Sequence, residues 1–434
     1  MFTYCMRRRL CLLLTREKSA PAALTHQSRY ESTTPVLDLQ HYISQDQTGN
    51  RSAYGPLGTE LKRNILRQWW ASVVESKSEV FSVSTPHCST GGGAAKLVDR
   101  GTLDELRDLP EGQLKERLSR LLYHSHDLRS SLLQGALLQY IPSLMLMNRK
   151  LPFGLAETGF CYRPETASPN TIGCGSSEVT EASLVWFCSP RTSSQWLDYW
   201  ARQRLQWWRK FASGPSEFSV CDVLSEELRD GVSRGVKVLY QFPSGPETLE
   251  TLWRLGDAEL LKSHQGSQAE LQCKDGRKQV VPHVLSISAD MDRGVLAYLF
   301  NSLQIVQKVD SKQMLHQRKV LKLHPTLAPV KVALDMGRGS TSELRQVCEG
   351  LLQDLLEAGI SAWPGYTDTT QSSLDSLHTK YDEMGVLFTV MISESTLENG
   401  LLLVRNRDTT IRETMHISEI RQFLLKYISA AENI

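Results

Sequence analysis

The stretch KVALDMGRGSTSELRQVCEGLLQDLLEAGISAW, residues 331–363, decides the fold of the C-terminal part of the chain. It opens with an apolar segment, Lys331–Met336, that has the length of a buried strand. Ser340-Thr341-Ser342-Glu343 follows as a capping box that begins a helix. Apolar residues recur at helical spacing on one face of this helix: Leu344, Val347, Leu351 and Leu355. Gly359 ends the helix and Ile360–Trp363 reads as a strand, so the stretch predicts a strand–helix–strand unit.

The residues that follow extend this unit to a domain. We predict a short helix, two strands and a final helix: Leu374–Tyr381, Val386–Ile392, Leu401–Arg405 and about Ser418–Ala431. Asn399-Gly400 lies between the two strands and is typical of a two-residue hairpin turn, which needs positive φ at both central residues. Residues 327–434 therefore predict an α/β domain with a mixed sheet.

Upstream, a helix follows the turn Tyr54-Gly55-Pro56-Leu57-Gly58. One apolar residue recurs at every fourth position along it: Leu61, Ile65, Trp69 and Val73. Short apolar runs at residues 182–187 and 284–287 predict strands of a second sheet.

An amphipathic helix is predicted over Ser194–Phe211. Four aromatic residues share one face of it: Trp196, Trp200, Trp207 and Phe211. An aromatic stripe at helical period is typical of a core, so we assign this face to packing. The opposite face carries Arg202 and Arg209, which are candidate contacts to nucleic acid.

Residues 102–150 are rich in leucine and predict a helical hairpin. The first helix, or broken pair of helices, carries Leu103, Leu106, Leu114, Leu118, Leu121 and Leu122. The second carries Leu128, Leu132, Leu133, Leu137, Tyr140, Leu144 and Met147. A lone hairpin cannot bury two apolar stripes. The hairpin packs either on its own domain or on the same hairpin of a second copy, and the sequence leaves both open.

A basic connector is predicted between the two sheets, at Gln313–Pro325. It contains Arg318, Lys319 and Lys322. The formal net charge of the chain is +1, so binding to nucleic acid requires a local basic cluster. These three residues are candidate DNA contacts together with Arg202 and Arg209; a solvated linker is the alternative.

The composition is that of a globular protein, with 434 residues of which 41% are hydrophobic and 22% charged. Residues 1–30 differ, since a single acid, Glu17, accompanies six basic residues. This pattern predicts a mitochondrial transit segment, and a disordered basic tail is the alternative. The apolar run Leu10–Leu14 is too short to span a bilayer, so we expect no membrane anchor there.

The nine cysteines are scattered, without a C-x-x-C pair or a cysteine–histidine cluster at zinc spacing. We therefore expect reduced thiols in a reducing compartment, with no metal and no cofactor.

Four short blocks of the C-terminal domain occur in the order found in a known domain family: Leu327–Val332, Lys380–Gly385, Leu397–Gly400 and Arg405–Thr409. They resemble the anticodon-binding domain shared by glycyl-, prolyl-, threonyl- and histidyl-tRNA synthetases. In those enzymes this domain faces a macromolecular partner. The resemblance implies a docking surface here, for which Gly400, Arg405, Arg407 and Asp408 are our candidates.

The front part resembles the catalytic core of class II synthetases, closest to the glycyl enzymes. Tyr54–Gly58 with Leu61, Asn64 and Trp70 is similar to motif 1; Gly154–Gly159 with Tyr162–Glu165 is similar to motif 2; Pro282–Val284 through Arg293 is similar to motif 3. The resemblance implies an antiparallel-sheet core at residues 50–98 and 151–310. A helical insert at 99–150 interrupts it and a connector at 311–326 follows, so the chain combines α+β and α/β architecture.

The residues at the positions of the ATP site have changed. Arg163 and Arg293 match the two arginines that bind ATP phosphates in the family. Ser286 replaces the carboxylate of motif 3, and Ala289-Asp290-Met291-Asp292 replaces a glycine-rich approach. Two aspartates there repel phosphate. We interpret Arg163, Glu165, Ser286 and Arg293 as vestigial ATP-site positions, with the arginines paired to Glu165 or Asp292, and predict no enzymatic activity.

Four features together resemble the accessory subunits of the mitochondrial DNA polymerase: the transit-like N-terminus, the hairpin, Arg191–Asp198 and Lys319–Pro325. That resemblance implies a homodimer in the mitochondrial matrix nucleoid. It implies binding to the catalytic subunit and to double-stranded primer–template DNA, with higher processivity. The alternatives are an active mitochondrial class II synthetase of glycyl type and a regulatory tRNA-binding module.

Overall fold

The computed structural model describes residues 39–45, 52–89, 95–107, 109–163, 178–228, 231–267, 269–309, 315–337, 341–368 and 373–432. The predicted transit segment, residues 1–30, lies outside them, as do Ser340 of the predicted capping box and Glu165.

Fourteen strands and eight helices are described before residue 303. The strands are β1 Ile43–Gln45, β2 Ser52–Tyr54, β3 Val80–Ser82, β4 Cys88–Ser89, β5 Ala95–Leu97, β6 His126–Leu128, β7 Phe153–Tyr162, β8 Glu178–Cys188, β9 Phe218–Asp222, β10 Arg234–Phe242, β11 Gly245–Gly256, β12 Cys273–Asp275, β13 Lys278–Val280 and β14 His283–Asp290. The helices are α1 Pro56–Trp70, α2 Arg100–Arg107, α3 Glu111–His124, α4 Leu133–Leu138, α5 Tyr140–Leu146, α6 Ser193–Lys210, α7 Ala258–Ser263 and α8 Met291–Ser302.

Seven strands and four helices are described from residue 303 onwards. The strands are β15 Leu303–Val309, β16 Leu315–Leu321, β17 Val332–Met336, β18 Ala362–Trp363, β19 Phe388–Ile392, β20 Leu401–Asn406 and β21 Arg412–His416. The helices are α9 Thr341–Glu357, α10 Leu374–Glu383, α11 Glu394–Asn399 and α12 Ile417–Glu432.

A seven-stranded sheet in the order β3-β7-β8-β14-β11-β10-β9 forms the first core. β3 pairs with β7 in parallel, and each other neighbouring pair is antiparallel. β8, the third strand in this order, is buried without a break from Thr180 to Cys188. This sheet confirms the predicted antiparallel, class II-like core.

The helices against this sheet confirm the predicted apolar stripes. Leu61, Ile65 and Trp69 of α1 are fully buried, and the stripe continues to Val73 in a π-helical turn, Ala71–Glu75. On α6 the predicted aromatic face is buried at Trp200, Trp207 and Phe211.

The insert divides into two unlike halves. β4, β6 and β5 form a small sheet at the base of α2 and α3. Beyond it, α4 and α5 pack on the core sheet, and four large side chains are buried on these helices and at the N-cap of α4: Leu132, Leu137, Tyr140 and Leu144. The prediction of a second long helix from Leu128 is wrong, because Leu128 ends β6 and two short helices follow. Packing on its own domain thus accounts for this half of the insert.

The predicted basic connector is also wrong in its conformation. β15 and β16 pair as an antiparallel ribbon, from Leu303 opposite Leu321 to Val309 opposite Leu315. Arg318 and Lys319 therefore lie on a strand, which packs against α10.

The C-terminal sheet has the order β18-β17-β19-β20-β21. β17 pairs in parallel with β18 and β19, whereas β20 pairs antiparallel with β19 and β21, as predicted for a mixed sheet. The hairpin turn at Asn399-Gly400 is wrong. α11 connects β19 to β20, and Gly400 is the residue after its C-terminus, with φ of +74°.

Side chains tie the two sheets together. One cluster of buried apolar residues extends from Leu61 of α1 to Val390 and Leu424 of the C-terminal domain. Asn64 Nδ2 donates to the Leu327 carbonyl at 3.1 Å, and the Tyr42 hydroxyl donates to the Met384 carbonyl at 2.9 Å. The C-terminal domain is thus held by the core sheet and by residues N-terminal to it.

Candidate functional site

Arg163, which follows β7, forms an ion pair with Glu181 on β8. The Glu181 side chain is fully buried, and its Oε1 also accepts from the Leu132 amide at 3.1 Å and the Ser131 hydroxyl at 3.2 Å. Arg163 is therefore committed to a buried carboxylate of its own chain. The predicted partner Glu165 lies outside the described residues.

Arg293 lies in the first turn of α8, where Asp290 caps the helix. Asp290 Oδ1 accepts from the Arg293 amide at 2.9 Å, and burial raises the pKa of the Asp290 carboxyl. The Arg293 Nε atom is 3.8 Å from both Glu247 Oε2 and Asp290 Oδ2. Arg293 thus faces two carboxylates of its own chain.

Asp292 was predicted as a partner of the arginines, and this is wrong. Its Oδ1 accepts from the Tyr54 hydroxyl at 2.7 Å and from Lys62 Nζ at 2.6 Å. Its Oδ2 accepts from the Thr180 amide at 2.6 Å. The carboxylate joins α1, β8 and α8, so its role in the fold is structural.

Ser286 is buried in the middle of β14, opposite Trp253 on β11 and Val185 on β8. Within the described part of the chain, no group of three or more His, Cys, Asp or Glu side chains could hold a metal ion. No helix in that part is long and apolar enough to cross a membrane.

Sequence reasoning missed an ion pair in which both side chains are buried, between Arg129 and Glu157. Arg129 Nη1 donates to Glu157 Oε1 at 3.0 Å, and both side chains are at most 7% exposed. The Thr85 amide donates to the same oxygen at 2.9 Å, and the Thr85 hydroxyl donates to Glu157 Oε2 at 2.8 Å. A lone arginine in a loop carries no periodic signal that could have identified this cluster.

Arg405 and Arg407, the two arginines predicted to contact a partner, are buried. Arg405 binds Asp382 with two hydrogen bonds, of 2.9 and 3.1 Å, and Arg318 of β16 pairs with the same carboxylate. Burial lowers the pKa of both guanidinium groups. Two arginines on one buried aspartate join the ribbon, α10 and β20.

Arg407 is 3% exposed and holds three backbone carbonyls. Nη1 donates to Leu321 O at 3.1 Å and Gly385 O at 3.0 Å, and Nη2 donates to Leu323 O at 2.9 Å. Asp408 accepts two further bonds from the same guanidinium. The burial of Arg405 and Arg407 argues against direct contact of either side chain with a partner.

The remaining DNA candidates differ in exposure. Lys319 and Lys322 are half-buried, whereas Arg202 and Arg209 lie on the exposed face of α6. Arg209 donates from Nε and Nη2 to the Phe218 carbonyl, at 3.0 and 2.6 Å, and so anchors β9. Arg202 keeps one weak bond, from Nε to Asp198 O at 3.3 Å.

The outer face of the C-terminal sheet, which we define as Met391, Leu401, Leu403 and Thr414, carries exposed apolar side chains. Leu401 and Leu403 are 36% and 37% exposed, while Leu402 between them is buried. Leu403 lies opposite Met391 on β19 and Thr414 on β21. Gly400 is adjacent to this face.

Comparison with known proteins first gives the class. Residues 328–427 match the family model of the anticodon binding domain. The chain is 25% identical over 421 residues to the glycine–tRNA ligase of Treponema denticola, a match that covers 86% of this chain and 91% of that protein. Fold and sequence together show a resemblance to class II aminoacyl-tRNA synthetases, with a glycyl-tRNA ligase-like fold.

More similar relatives then give the family. The chain is 51% identical over 433 residues to DNA polymerase subunit gamma-2 of Mus musculus, covering 95% of this chain and 94% of that protein. It is 52% identical over 385 residues to the mitochondrial DNA polymerase subunit gamma-2 of Xenopus laevis, covering 88% and 82%. The chain belongs to the DNA polymerase subunit gamma-2 family, the accessory subunits of the mitochondrial DNA polymerase.

Proposed function

We propose that this protein is a non-catalytic processivity subunit in the mitochondrial matrix nucleoid. It binds the catalytic subunit of the mitochondrial DNA polymerase and double-stranded primer–template DNA. The observation that carries the proposal is the 51% identity to DNA polymerase subunit gamma-2 across 95% of the chain. Primer extension on a long template tests it: the protein should lengthen the products of the catalytic subunit and co-purify with it.

The charged groups at the former ATP site support a non-catalytic role. Arg163 is tied to the buried Glu181, and Arg293 faces Glu247 and Asp290. Triphosphate binding would have to compete with these carboxylates in a partly desolvated site. An active glycyl-type synthetase is the second candidate, which the 25% identity to a glycine–tRNA ligase favours.

A homodimer through α2 and α3 is the proposed assembly. Four side chains on these helices are strongly exposed: Leu103 48%, Leu118 40%, Leu122 42% and Tyr123 84%. Apolar surface of this kind on two adjacent helices is typical of an interface. The same face of a second copy would complete a four-helix bundle around a two-fold axis.

The docking surface for the catalytic subunit is proposed at the outer face of the C-terminal sheet. Leu401 and Leu403 are apolar and exposed there, and Gly400 fixes the backbone at the start of β20. Arg405 follows Leu401 and Leu403 on the same face of β20 but is buried, Arg407 is buried just beyond the end of the strand, and Asp408 is exposed. This assignment replaces direct contact through the two buried arginines.

We assign a separate role to each part of the chain. The core at 50–98 and 151–310 and the domain at 327–434 hold the polymerase and DNA, while the part of 99–150 that forms α2 and α3 joins two copies. The ribbon takes the place of the connector at 311–326. Arg202 and Arg209 are exposed, unlike the other candidate DNA contacts, and a chain of net charge +1 needs such local sites.

A further inference from the structure

The two chain segments that connect the insert to the core both bind the carboxylate of Glu157. The chain leaves the core after β3 through Thr85 and returns after β6 through Arg129. Glu157 on β7 accepts from the Thr85 amide at 2.9 Å, from the Thr85 hydroxyl at 2.8 Å and from Arg129 Nη1 at 3.0 Å. One carboxylate thus holds the outgoing and the returning leg of the insert.

The guanidinium of Arg129 is held by several hydrogen bonds in addition to its ion pair with Glu157. Nη1 donates also to the Thr85 carbonyl at 2.8 Å, and Nε donates to the Phe160 carbonyl at 2.8 Å. The site requires glycine at position 159, because a Cβ there would lie 2.3 Å from Arg129 Nη2. A planar, forked cation in such a site is fixed in angle as well as in position.

The second buried carboxylate of the same region binds the next residues of the returning leg. Glu181 accepts from the Ser131 hydroxyl and from the Leu132 amide. The Arg129 carbonyl accepts from the Tyr162 amide at 2.8 Å, and the Arg129 amide donates to the His87 carbonyl at 3.0 Å. The segment 129–132 is therefore bound to β7 and β8 at several points.

We propose that Glu157, Arg129 and Thr85 form a guanidinium-binding clamp that fixes the orientation of α2 and α3 relative to the core sheet. The clamp positions the face through which two copies associate, and in this respect the inference rests on the proposed homodimer. β6 ends at the residue before Arg129 and follows α3 directly, so displacement of Arg129 is transmitted to the base of α3. In a two-fold dimer, the same change in the orientation of α2 and α3 would occur in both copies.

The test uses the full chain with Arg129→Ala and two measurements. Sedimentation equilibrium should show a dimer Kd raised at least about tenfold, since Glu157 is left buried without its cation. Hydrogen–deuterium exchange, measured above both Kd values, should rise at least about tenfold in α2 and α3 relative to α12. Millimolar methylguanidinium should reverse both changes in the variant, while neutral methylurea should not.

Further variants keep the test decisive. Gly159→Ala places a methyl group against the guanidinium without removing a charge, so it should raise exchange in α2 and α3 even if Arg129→Ala does not fold. Arg204→Ala is the matched control, because Arg204 is a buried arginine paired at 2.8 Å with Glu250, far from the legs of the insert. It should lower the melting temperature and leave α2 and α3 exchange unchanged relative to α12.

Parent-like exchange in both Arg129→Ala and Gly159→Ala would overturn the clamp. Equal rescue by methylurea and methylguanidinium would also overturn it, since a neutral molecule cannot replace the cation beside Glu157. If exchange rises and is rescued while the dimer Kd stays at the parent value, the clamp stands and the dimer interface through α2 and α3 is wrong. The two proposals therefore fail on different measurements.

Discussion

Gly400 and His416 lie against each other at the start of β20. A Cβ at residue 400 would stand 2.4 Å from His416 Nε2, and the Gly400 backbone has a φ of +74°. Two separate physical constraints therefore act on one residue: a left-handed backbone and a close side-chain neighbour.

Replacement of Gly400 separates these constraints. Gly359 also has a φ of +74°, but no heavy atom lies within 4 Å of its ideal Cβ, so Gly359→Ala is the matched control. The backbone strain should cost each variant about 1 kcal/mol of unfolding free energy. Gly400→Ala should lose more, because the ring of His416 must move. Urea denaturation checks this, and the excess should disappear when His416→Ala is added to Gly400→Ala.

Gly400→Glu should weaken stimulation of the polymerase and leave the dimer intact. The glutamate adds charge beside the exposed Leu401 and Leu403, where we place the docking surface. Primer extension and sedimentation on the same preparation check the two parts. Full stimulation at a parent-like Kd for the catalytic subunit would move the docking surface elsewhere.

Charge on α3 should dissociate the homodimer. The double variant Leu118→Glu, Leu122→Glu places two carboxylates on the proposed interface, where the two leucines are 40% and 42% exposed. Burying unpaired charge in an interface should raise the dimer Kd at least about a hundredfold in sedimentation equilibrium. Leu224→Glu is the control, since Leu224 is 66% exposed and lies outside α2 and α3. A tight dimer in the double variant would exclude this interface.

DNA binding should depend on salt and little on sequence. Arg202→Ala removes an exposed cation, so the log–log salt slope should flatten by roughly one. Lys319→Ala and Lys322→Ala test the half-buried positions in the same titration. Arg318→Ala should instead lower the melting temperature, because Arg318 shares Asp382 with Arg405. An unchanged slope in all three binding variants would place the DNA contacts on other residues.

Acid should destabilise the C-terminal domain through His378. Burial, followed by the nearby Arg405, Arg412 and Arg318, lowers the pKa of His378 from 6.5 to about 4, against a small opposing effect of Asp375. Between these values the unfolded chain binds more protons than the folded one, so stability rises with pH across this window. Across this window, the unfolding free energy of the His378→Asn variant should change by roughly 1 to 3 kcal/mol less than that of the parent. Chemical denaturation of parent and variant between pH 4 and pH 7 measures the difference; parallel curves would contradict it.

ATP–pyrophosphate exchange should be undetectable with any amino acid. Ser286 supplies a hydroxyl where a metal-binding carboxylate is expected, and Arg293 faces two carboxylates. Exchange that Arg293→Ala abolishes would support the synthetase alternative instead.

Residue patterns predicted the elements whose signals are local. The stripe of Leu61, Ile65 and Trp69 and the aromatic face of α6 recur at helical period, and burial follows from that period. The site was less predictable, because its contacts join distant residues. Arg318 resembles a solvated basic residue in sequence, and its partner Asp382 lies on another element.

The error at Gly400 has a local cause. Asn399-Gly400 fits the hairpin pattern, but Ser393 and Thr396 form a reciprocal capping box that begins a six-residue helix. Threonine at the fourth position is a weaker signal than the usual glutamate or glutamine. Gly400 does adopt the positive φ that glycine favours, as the C-cap of α11 rather than as the centre of a hairpin.

The three carbonyls bound by Arg407 restrict how this chain can be divided by recombination. Leu321 and Leu323 precede the C-terminal domain in sequence, yet their carbonyls satisfy a guanidinium inside that domain. A gene segment starting at residue 327 would encode a buried cation without two of its acceptors. The domain therefore cannot be transferred alone. If it is fused to another synthetase-type core, the end of the β15–β16 ribbon must be transferred with it.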